Sequence, residues 1–410
     1  MKILHVLSDI DIESGGVAAA GCGMAEAIAA RGHDVTIACL NRGGTPLQPQ
    51  GVTVRRLAPD RNSPLLPSSQ LREYLQENIG QFAVVHIHGV WQHPGHYAAA
   101  AARKCRIPYI LAPHGMLDAS SLAMGRRWAK SLAWFLWDSI MVNRAAAIQC
   151  LNSAEIRCSP ALANTTNAVI GNGIPAQVLE NLPPRGLWRE EKKNTLGDTS
   201  RPIALFLSRI HHVKGLERLL PLWPEVLKQH PDLLLMIAGT GDRRYVERIE
   251  ALITEHKLQG AVFLAGQLSG TTKWRALVDA DIFILPSYRE GFSLAITEAM
   301  AAGLPVVITR ECNFDEVERA NAGLVIEHSD MAAFAQAVAH LVDDAADRQR
   351  MGHNGRLLVQ QRFTMETAAQ KLEMLYQAVA QNTEIPESIM PASIRPEKAP
   401  AAAARLVPRQ

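Results

Sequence analysis

The chain has little of what marks several common protein classes. Its 410 residues hold six cysteines, Cys22, Cys39, Cys105, Cys150, Cys158 and Cys312, dispersed without a C-x-x-C pair. That spread argues against a disulfide framework and fits small buried thiols in a reducing compartment, so the cytoplasm is the expected location. No apolar run approaches the roughly 20 residues that cross a bilayer. The opening MKILHVLSDID reads as a first β-strand and not as a cleaved signal. Charge of one sign is also missing: 42 Lys and Arg stand against 40 Asp and Glu, a net +2, with aromatics at only 5%. No basic patch with interleaved aromatics stands out, so nucleic acid is not an expected partner. The dinucleotide fingerprint G-x-G-x-x-G is absent. Ser14-Gly15-Gly16-Val17 follows the first strand, but Gly21 and Gly23 fall inside the next helix, which argues against an oxidoreductase.

What is present is an ordinary globular composition, 48% hydrophobic and 20% charged, on a chain long enough for two domains. Short apolar runs alternate with helical patterns in both halves, the signature of parallel sheets covered by helices. Strands are expected at Ile3–Leu7, Val35–Cys39, Val52–Leu57, Val84–Ile87, Tyr109–Ala112 and Ala146–Cys150. They recur at Ile203–Ser208, Leu233–Ala238, Val262–Ala265, Asp281–Leu285, Val306–Ile308 and Leu324–Ile326. The fold class is therefore α/β with two Rossmann-like domains, 1–182 and 200–363. The Pro-rich, polar stretch 175–202 is the linker candidate. The run 364–381 is helical in period, while 382–410 is rich in Pro and Ala and aperiodic, and is expected to be disordered.

The most informative stretch is YREGFSLAITEAMAAGLPVV, Tyr288 to Val307. A buried strand, DIFILP, leads into a loop carrying Glu290, and a helix over Leu294–Ala302 carries Glu298 before Gly303 and Pro305 stop it. Ligands of open α/β sheets bind at the carboxyl ends of strands, which is where this pair falls. Leu207 to Leu216, LSRIHHVKGL, leaves the first strand of the second half and offers Arg209 and Lys214 in a loop before a helix. An arginine fork and a lysine point charge there suit a diphosphate. Gly239, in IAGTGD, permits close backbone approach to a ligand. His114, in APHGML, lies just past a strand.

Other groups carry less. His86, His88, His93 and His96 fit no zinc pattern, and no metal is expected. The D-x-D pair Asp279 and Asp281 leads straight into a strand, where helix-end or turn duty is the expected role. Ser121–Arg144 sets Trp128, Trp134 and Trp137 beside Arg126, Arg127 and Lys130, a pattern open to core packing or to peripheral contact with an anionic membrane.

Arg209, Lys214, Glu290, Glu298 and the GFSLAITEAMAAGLPVV context together resemble the retaining glycosyltransferases of family 4, over nearly the whole chain. The resemblance implies a GT-B fold, two domains facing across a cleft, and a metal-independent, retaining hexosyltransferase without cofactor. Its donor would be a UDP- or GDP-sugar, and its acceptor a glycan or lipid-linked oligosaccharide bound by the first domain. Arg209 and Lys214 would neutralise the donor diphosphate and Glu298 would bind the ribose. Glu290, with Gly291, Phe292, Ser293 and Leu294, would meet the donor side, Gly16 would approach the diphosphate or acceptor, and His114 would sit near the transferring sugar. Asn172-Gly173 would mark the hinge, and the helix 364–381 would cross back to the first domain. Met365 departs from the pattern, since relatives often have tryptophan there. The PHGML element and the Trp-rich helix are similar to members acting in bacterial exopolysaccharide or capsule assembly at the inner face of the plasma membrane. A catalytically inactive nucleotide-sugar-binding or scaffold protein on the same fold is the alternative.

Overall fold

The structure, a computed structural model, describes residues 1–118, 133–163 and 165–391. Its first sheet is built from β1 (Lys2–Val6), β2 (Asp34–Leu40), β3 (Thr53–Leu57), β4 (Val84–His88), β5 (Tyr109–Ala112), β6 (Ala147–Cys150) and β7 (Asn167–Val169). The second comprises β8 (Ile203–Leu207), β9 (Leu234–Ala238), β10 (Val262–Gly266), β11 (Ile282–Leu285), β12 (Val306–Thr309) and β13 (Gly323–Ile326). Central strands such as β8 and β11 are buried throughout, as continuous apolar runs covered on both faces must be. At the edge, β3 carries Arg55 and Arg56 and is half-buried.

The strand orders are β3-β2-β1-β4-β5-β6-β7 and β10-β9-β8-β11-β12-β13, with every pairing parallel. The same winding thus occurs twice. In each sheet the order of travel reverses where the first strand meets the fourth, β1 beside β4 and β8 beside β11. Crevices for ligands open beyond the carboxyl ends of such pairs. The first sheet has one strand more than its sequence pattern suggested: β7 is only three residues long, too short to announce itself by periodicity.

The stretch expected to be a linker is packed. Residues Leu187–Glu191 form a short helix, and Trp188 is fully buried in the core of the second domain. The outgoing chain at Ile174 and the returning chain at Phe363–Met365 cross and pair: Ile174 N donates to Phe363 O at 2.8 Å, and Met365 N to Ile174 O at 3.0 Å. Gly173 makes this crossing possible, since a Cβ there would lie 2.3 Å from the Thr364 carbonyl carbon. Thr364 caps the helix Met365–Gln381, which returns to the first domain and buries Ala369, Leu372, Leu375 and Tyr376 against its sheet. Glu373 anchors it to His33 at 2.9 Å and to Arg31 Nε at 2.7 Å. The expected disorder does not begin at 382, because Ile389 is buried in the same core; residues 392–410 lie outside those described. Among the described residues no helix is long and apolar enough to cross a membrane.

Candidate functional site

The second domain brings two of the expected residues into direct contact. The loop after β8 turns through a single 3-10 turn, His212–Lys214. From it Lys214 Nζ donates to Glu290 Oε1 at 2.6 Å, and the Ser287 hydroxyl donates to the same oxygen at 2.7 Å. The Glu290 backbone is held as well, its N–H on Glu311 O at 2.9 Å and its carbonyl on Asn313 Nδ2 at 2.8 Å. Both side chains of the pair are mostly buried, at 13% and 9% exposure. This contact lies at the β8/β11 reversal, where the topology opens its crevice. Arg209 projects from the same loop, exposed and without an ion pair among the described residues. Gly239, at the end of β9, has φ of 145°, and a Cβ there would sit 1.8 Å from Ser208 O, so the loop that carries Arg209 packs directly on bare backbone.

The other members of the motif divide by what their side chains already do. Ser293 is buried and caps the helix Leu294–Ala301, its hydroxyl accepting from Ile296 N at 3.5 Å. Phe292 packs against Phe314 and Phe363, with ring centroids 5.4 and 6.0 Å away, which ties the loop to the crossing point. What these two leave for a ligand is backbone. Leu294 opens the helix and is half-buried. Glu298, on that helix, is bonded through Oε1 to Lys273 Nζ at 2.6 Å. No spacing in the sequence points to Lys273, which comes from a separate helix, Gly270–Asp279.

In the first domain His114 has φ of 54°, a left-handed conformation uncommon outside glycine. Gly115 N donates to Glu155 Oε1 at 2.6 Å and Leu151 N to Glu155 Oε2 at 2.7 Å, so a buried carboxylate supports the turn. Burial raises the Glu155 pKa, with those two amides opposing it. Sequence reading passed over Glu155, an ordinary helix residue by pattern. His114 Nε2 is 3.0 Å from His88 Nδ1, and desolvation pulls its pKa down to about 4. Beside His88, at the β1/β4 reversal, lies a cavity of about 520 Å³ lined by Asp9, Glu13, Ser14, Arg42 and Gln92. Gly16, the first residue of the helix Gly16–Ala30, is exposed at its open end.

The two halves meet at these residues. A Cβ on Gly115 would lie 3.1 Å from Gly291 Cα, and one on Gly291 would lie 3.6 Å from His114 O. Asn152 Nδ2 reaches across to Gly291 O at 2.7 Å and Asn313 O at 3.2 Å. His114 and the Glu290-Gly291 turn therefore sit on opposing lips of one cleft.

The D-x-D pair has the helix-end role expected of it. Asp279 accepts from the backbone of Trp188 at 2.7 Å and Arg189 at 2.9 Å, and also from Gly186, which starts the short helix Leu187–Glu191. Asp281 accepts from Arg189 NH2 at 2.7 Å, from Ile203 N at 2.8 Å, and from Arg185. Most of the Trp-rich segment, 119–132, lies outside the described residues. Its described end contains a π-helical turn, Trp134–Asp138, with Asp138 buried and bonded to His96 Nε2 at 3.0 Å. Phe135, Leu136 and Ile140 are exposed at 80%, 47% and 48%.

Two facing doubly wound, parallel-sheet domains define the GT-B class of fold. Two family models match in tandem: the glycosyl transferase 4-like domain over residues 15–163 and glycosyl transferases group 1 over residues 189–358. Together they take in well over half of the chain, which belongs to the GT-B glycosyltransferases of family-4 type, enzymes that use nucleotide sugars. The chain is 26% identical over 379 residues to an uncharacterized glycosyltransferase of Methanocaldococcus jannaschii, covering 88% of this chain and 94% of that protein. It is 27% identical over 251 residues to the lipopolysaccharide core biosynthesis mannosyltransferase LpsB of Rhizobium meliloti, covering 59% and 68%. Among solved structures, the sucrose-phosphate synthase of Thermosynechococcus elongatus superposes with a TM-score of 0.72 at 20% identity, covering 93% of this chain and 100% of that one. Anabaena HepE in complex with UDP-glucose gives 0.72 at 18%, covering 92% and 100%.

Proposed function

We propose that this glycosyltransferase moves a hexose from a UDP- or GDP-sugar to a glycan or lipid-linked sugar, with retention at the anomeric carbon and without a metal. The observation that carries the reading is the Lys214–Glu290 contact at the second switch point, opposite His114. The donor diphosphate lies against Lys214 and Arg209, the ribose on Glu298, and the hexose between Glu290 and His114. Gly16 and the cavity beside His88 are on the acceptor side, and Gly239 and the 291–294 backbone line the donor side.

As the bond from the anomeric carbon to the phosphate oxygen breaks, its electron pair passes to the leaving diphosphate. Lys214, held in place by Glu290, and the exposed Arg209 stabilise that charge electrostatically. The acceptor hydroxyl bonds to the same face of the sugar and gives its proton to the departing phosphate, so no side-chain nucleophile is required. Neutral His114 and the acidic side chain of Glu290 are compatible with the positive charge that grows on the sugar ring. Asp279 and Asp281 are saturated by N–H donors and arginines, which supports a donor site built on cations in place of a D-x-D-held ion.

A role in exopolysaccharide or capsule assembly, with peripheral contact to an anionic membrane, belongs to the same proposal. Exposed Leu136 and Ile140, beside Arg103 and Lys104, and exposed Phe135 next to Leu136 in sequence, support it. The test is a thermal-shift screen of UDP- and GDP-sugars followed by transfer assays in EDTA. Stabilisation by one donor class, and its loss in Lys214→Ala, is expected. No response to either class, or equal transfer by Lys214→Ala, would refute the assignment.

A further inference from the structure

Behind His114 runs a file of buried polar rings that the transfer step does not itself use. His114 Nε2 and His88 Nδ1 are 3.0 Å apart, and His88 Nε2 and His5 Nδ1 are 3.0 Å apart. His5 Nε2 lies 3.3 Å from the Tyr376 hydroxyl, which is 2.7 Å from His86 Nδ1. Parallel pairing brings His5 of β1 level with His86 of β4, and His88 follows two residues along the same face. Tyr376 comes from the helix Met365–Gln381, so the file spans from the cleft to the crossover helix. His5, His86 and His88 also have ring nitrogens within 4.8 Å of one another, close enough to suggest a metal cluster. Imidazole nitrogens 3.0 Å apart, however, share a proton between them, so hydrogen bonds join these rings as they stand.

The direction of those hydrogen bonds follows from one amide. Gln149 Nε2 donates to Ile170 O at 2.9 Å, and a carbonyl can only accept, so the orientation of the amide is set. Gln149 Oε1 and His86 Nε2 are both buried without a hydrogen-bond partner, and the Gln149 side chain raises the His86 pKa, the effect of an acceptor facing that ring. A proton on His86 Nε2 gives that unpaired oxygen a donor to turn toward, and His86 Nδ1 then accepts from Tyr376. The tyrosine oxygen accepts from His5 Nε2, His5 Nδ1 accepts from His88 Nε2, and His88 Nδ1 accepts from His114 Nε2. Every ring is neutral in this arrangement, with one proton each. Desolvation favours that state, lowering the His5 pKa to about 3 and those of His86 and His88 well below the usual value.

We propose that His88, His5 and Tyr376 are positioning residues that hold His114 as the tautomer protonated on Nε2, with its Nδ1 lone pair free to accept from the sugar. This rests on the reading of His114 as the residue beside the transferring hexose. An Nδ1 lone pair accepts from a sugar hydroxyl and faces the growing positive charge without opposing it. A ring protonated on Nδ1 would turn a donor toward that charge. Because Tyr376 belongs to the returning helix, docking of that helix completes the file.

Long-range proton-nitrogen correlation NMR of the histidine-labelled protein reads the tautomers directly, independent of activity. His114 is expected to be protonated on Nε2 in the wild type and to become a mixture in Tyr376→Phe and in Gln149→Leu. In transfer assays Tyr376→Phe is expected to lower kcat about fivefold to tenfold, the worth of one hydrogen bond, with donor KM unchanged. A packing defect alone would lower the melting temperature and leave the His114 tautomer as it is in the wild type. Protonation on Nδ1 in the wild type, or an unchanged His114 in both variants, overturns the relay. The expected tautomers in a protein without transfer activity would instead overturn the functional reading.

Discussion

Asn152, from the first domain, donates its side-chain amide to the backbone oxygen of Gly291, in the second, at 2.7 Å. The same residue's oxygen caps the helix Ser153–Cys158 by accepting from Glu155 N at 2.8 Å. One side chain thus ties the turn beside Glu290 to the element whose Glu155 supports His114.

Asn152→Asp separates the two duties. The aspartate keeps an N-cap oxygen but loses the donor and turns a charge toward two carbonyls. The melting temperature is expected to change little, while kcat/KM falls about tenfold, the loss of one cross-cleft hydrogen bond and a new repulsion. Unchanged kinetics would show that the contact does not bear on the working state.

Lys273 Nζ donates to Glu298 Oε1 at 2.6 Å, and in the proposed function the ribose meets the other oxygen, Oε2. Lys273→Met is expected to weaken UDP or GDP binding about threefold to tenfold by calorimetry, and Glu298→Ala to weaken it further. Both side chains are mostly buried, at 24% and 14% exposure, so stability should also fall, by about 1–3 kcal/mol. Tighter nucleotide binding in Lys273→Met would mean that the lysine competes with the ribose.

Asp279→Ala leaves the N–H groups of Gly186, Trp188 and Arg189 without their acceptor. The expected loss is about 3 kcal/mol in denaturant unfolding, with nucleotide affinity intact in the folded protein. Loss of nucleotide binding at unchanged stability would instead give this carboxylate a donor-site role.

Three buried histidines and the half-buried His114 make stability depend on acid. His5 and His114 have pKa values of about 3 and 4 in the fold, and His86 and His88 are also strongly lowered, against an ordinary value near 6.5. Below pH 6.5 the unfolded chain binds protons that the fold refuses. Their contribution is therefore complete above that pH and is lost as pH falls toward the folded values, at about 1.4 kcal/mol per pH unit for each group. Unfolding at pH 5.5 should take up about four protons from these groups, measurable by calorimetry in buffers of different ionisation heat. Uptake near zero would contradict the burial of neutral rings.

Much of this architecture can be read from residues that are close in sequence. Glu290 and Glu298 share one strand-loop-helix unit, and Lys214 follows the first strand of its domain, so local pattern and strand-end logic bring them to one crevice. Lys273, Glu155 and Tyr376 are different. Each touches its partner only because a sheet register, a helix docking or a chain crossing brings it there, and nothing in local spacing records such events. The D-x-D pair was legible as a helix-end device, but its partners Gly186, Trp188 and Arg189 lie in a stretch that composition alone presents as linker. His86 and His88 were visible as a pair, whereas His5 joins them through strand pairing 81 residues away in sequence.

The central claim is that a nucleoside diphosphate is held by Lys214 beside Glu290 without a metal. Its most direct test is calorimetric titration of the EDTA-treated protein with UDP and with GDP, in the wild type and in Lys214→Ala. The account predicts binding of one nucleotide by the wild type and a loss of about 100-fold in the variant. Equal affinity in both proteins, or binding that appears only when a divalent ion is restored, would contradict it.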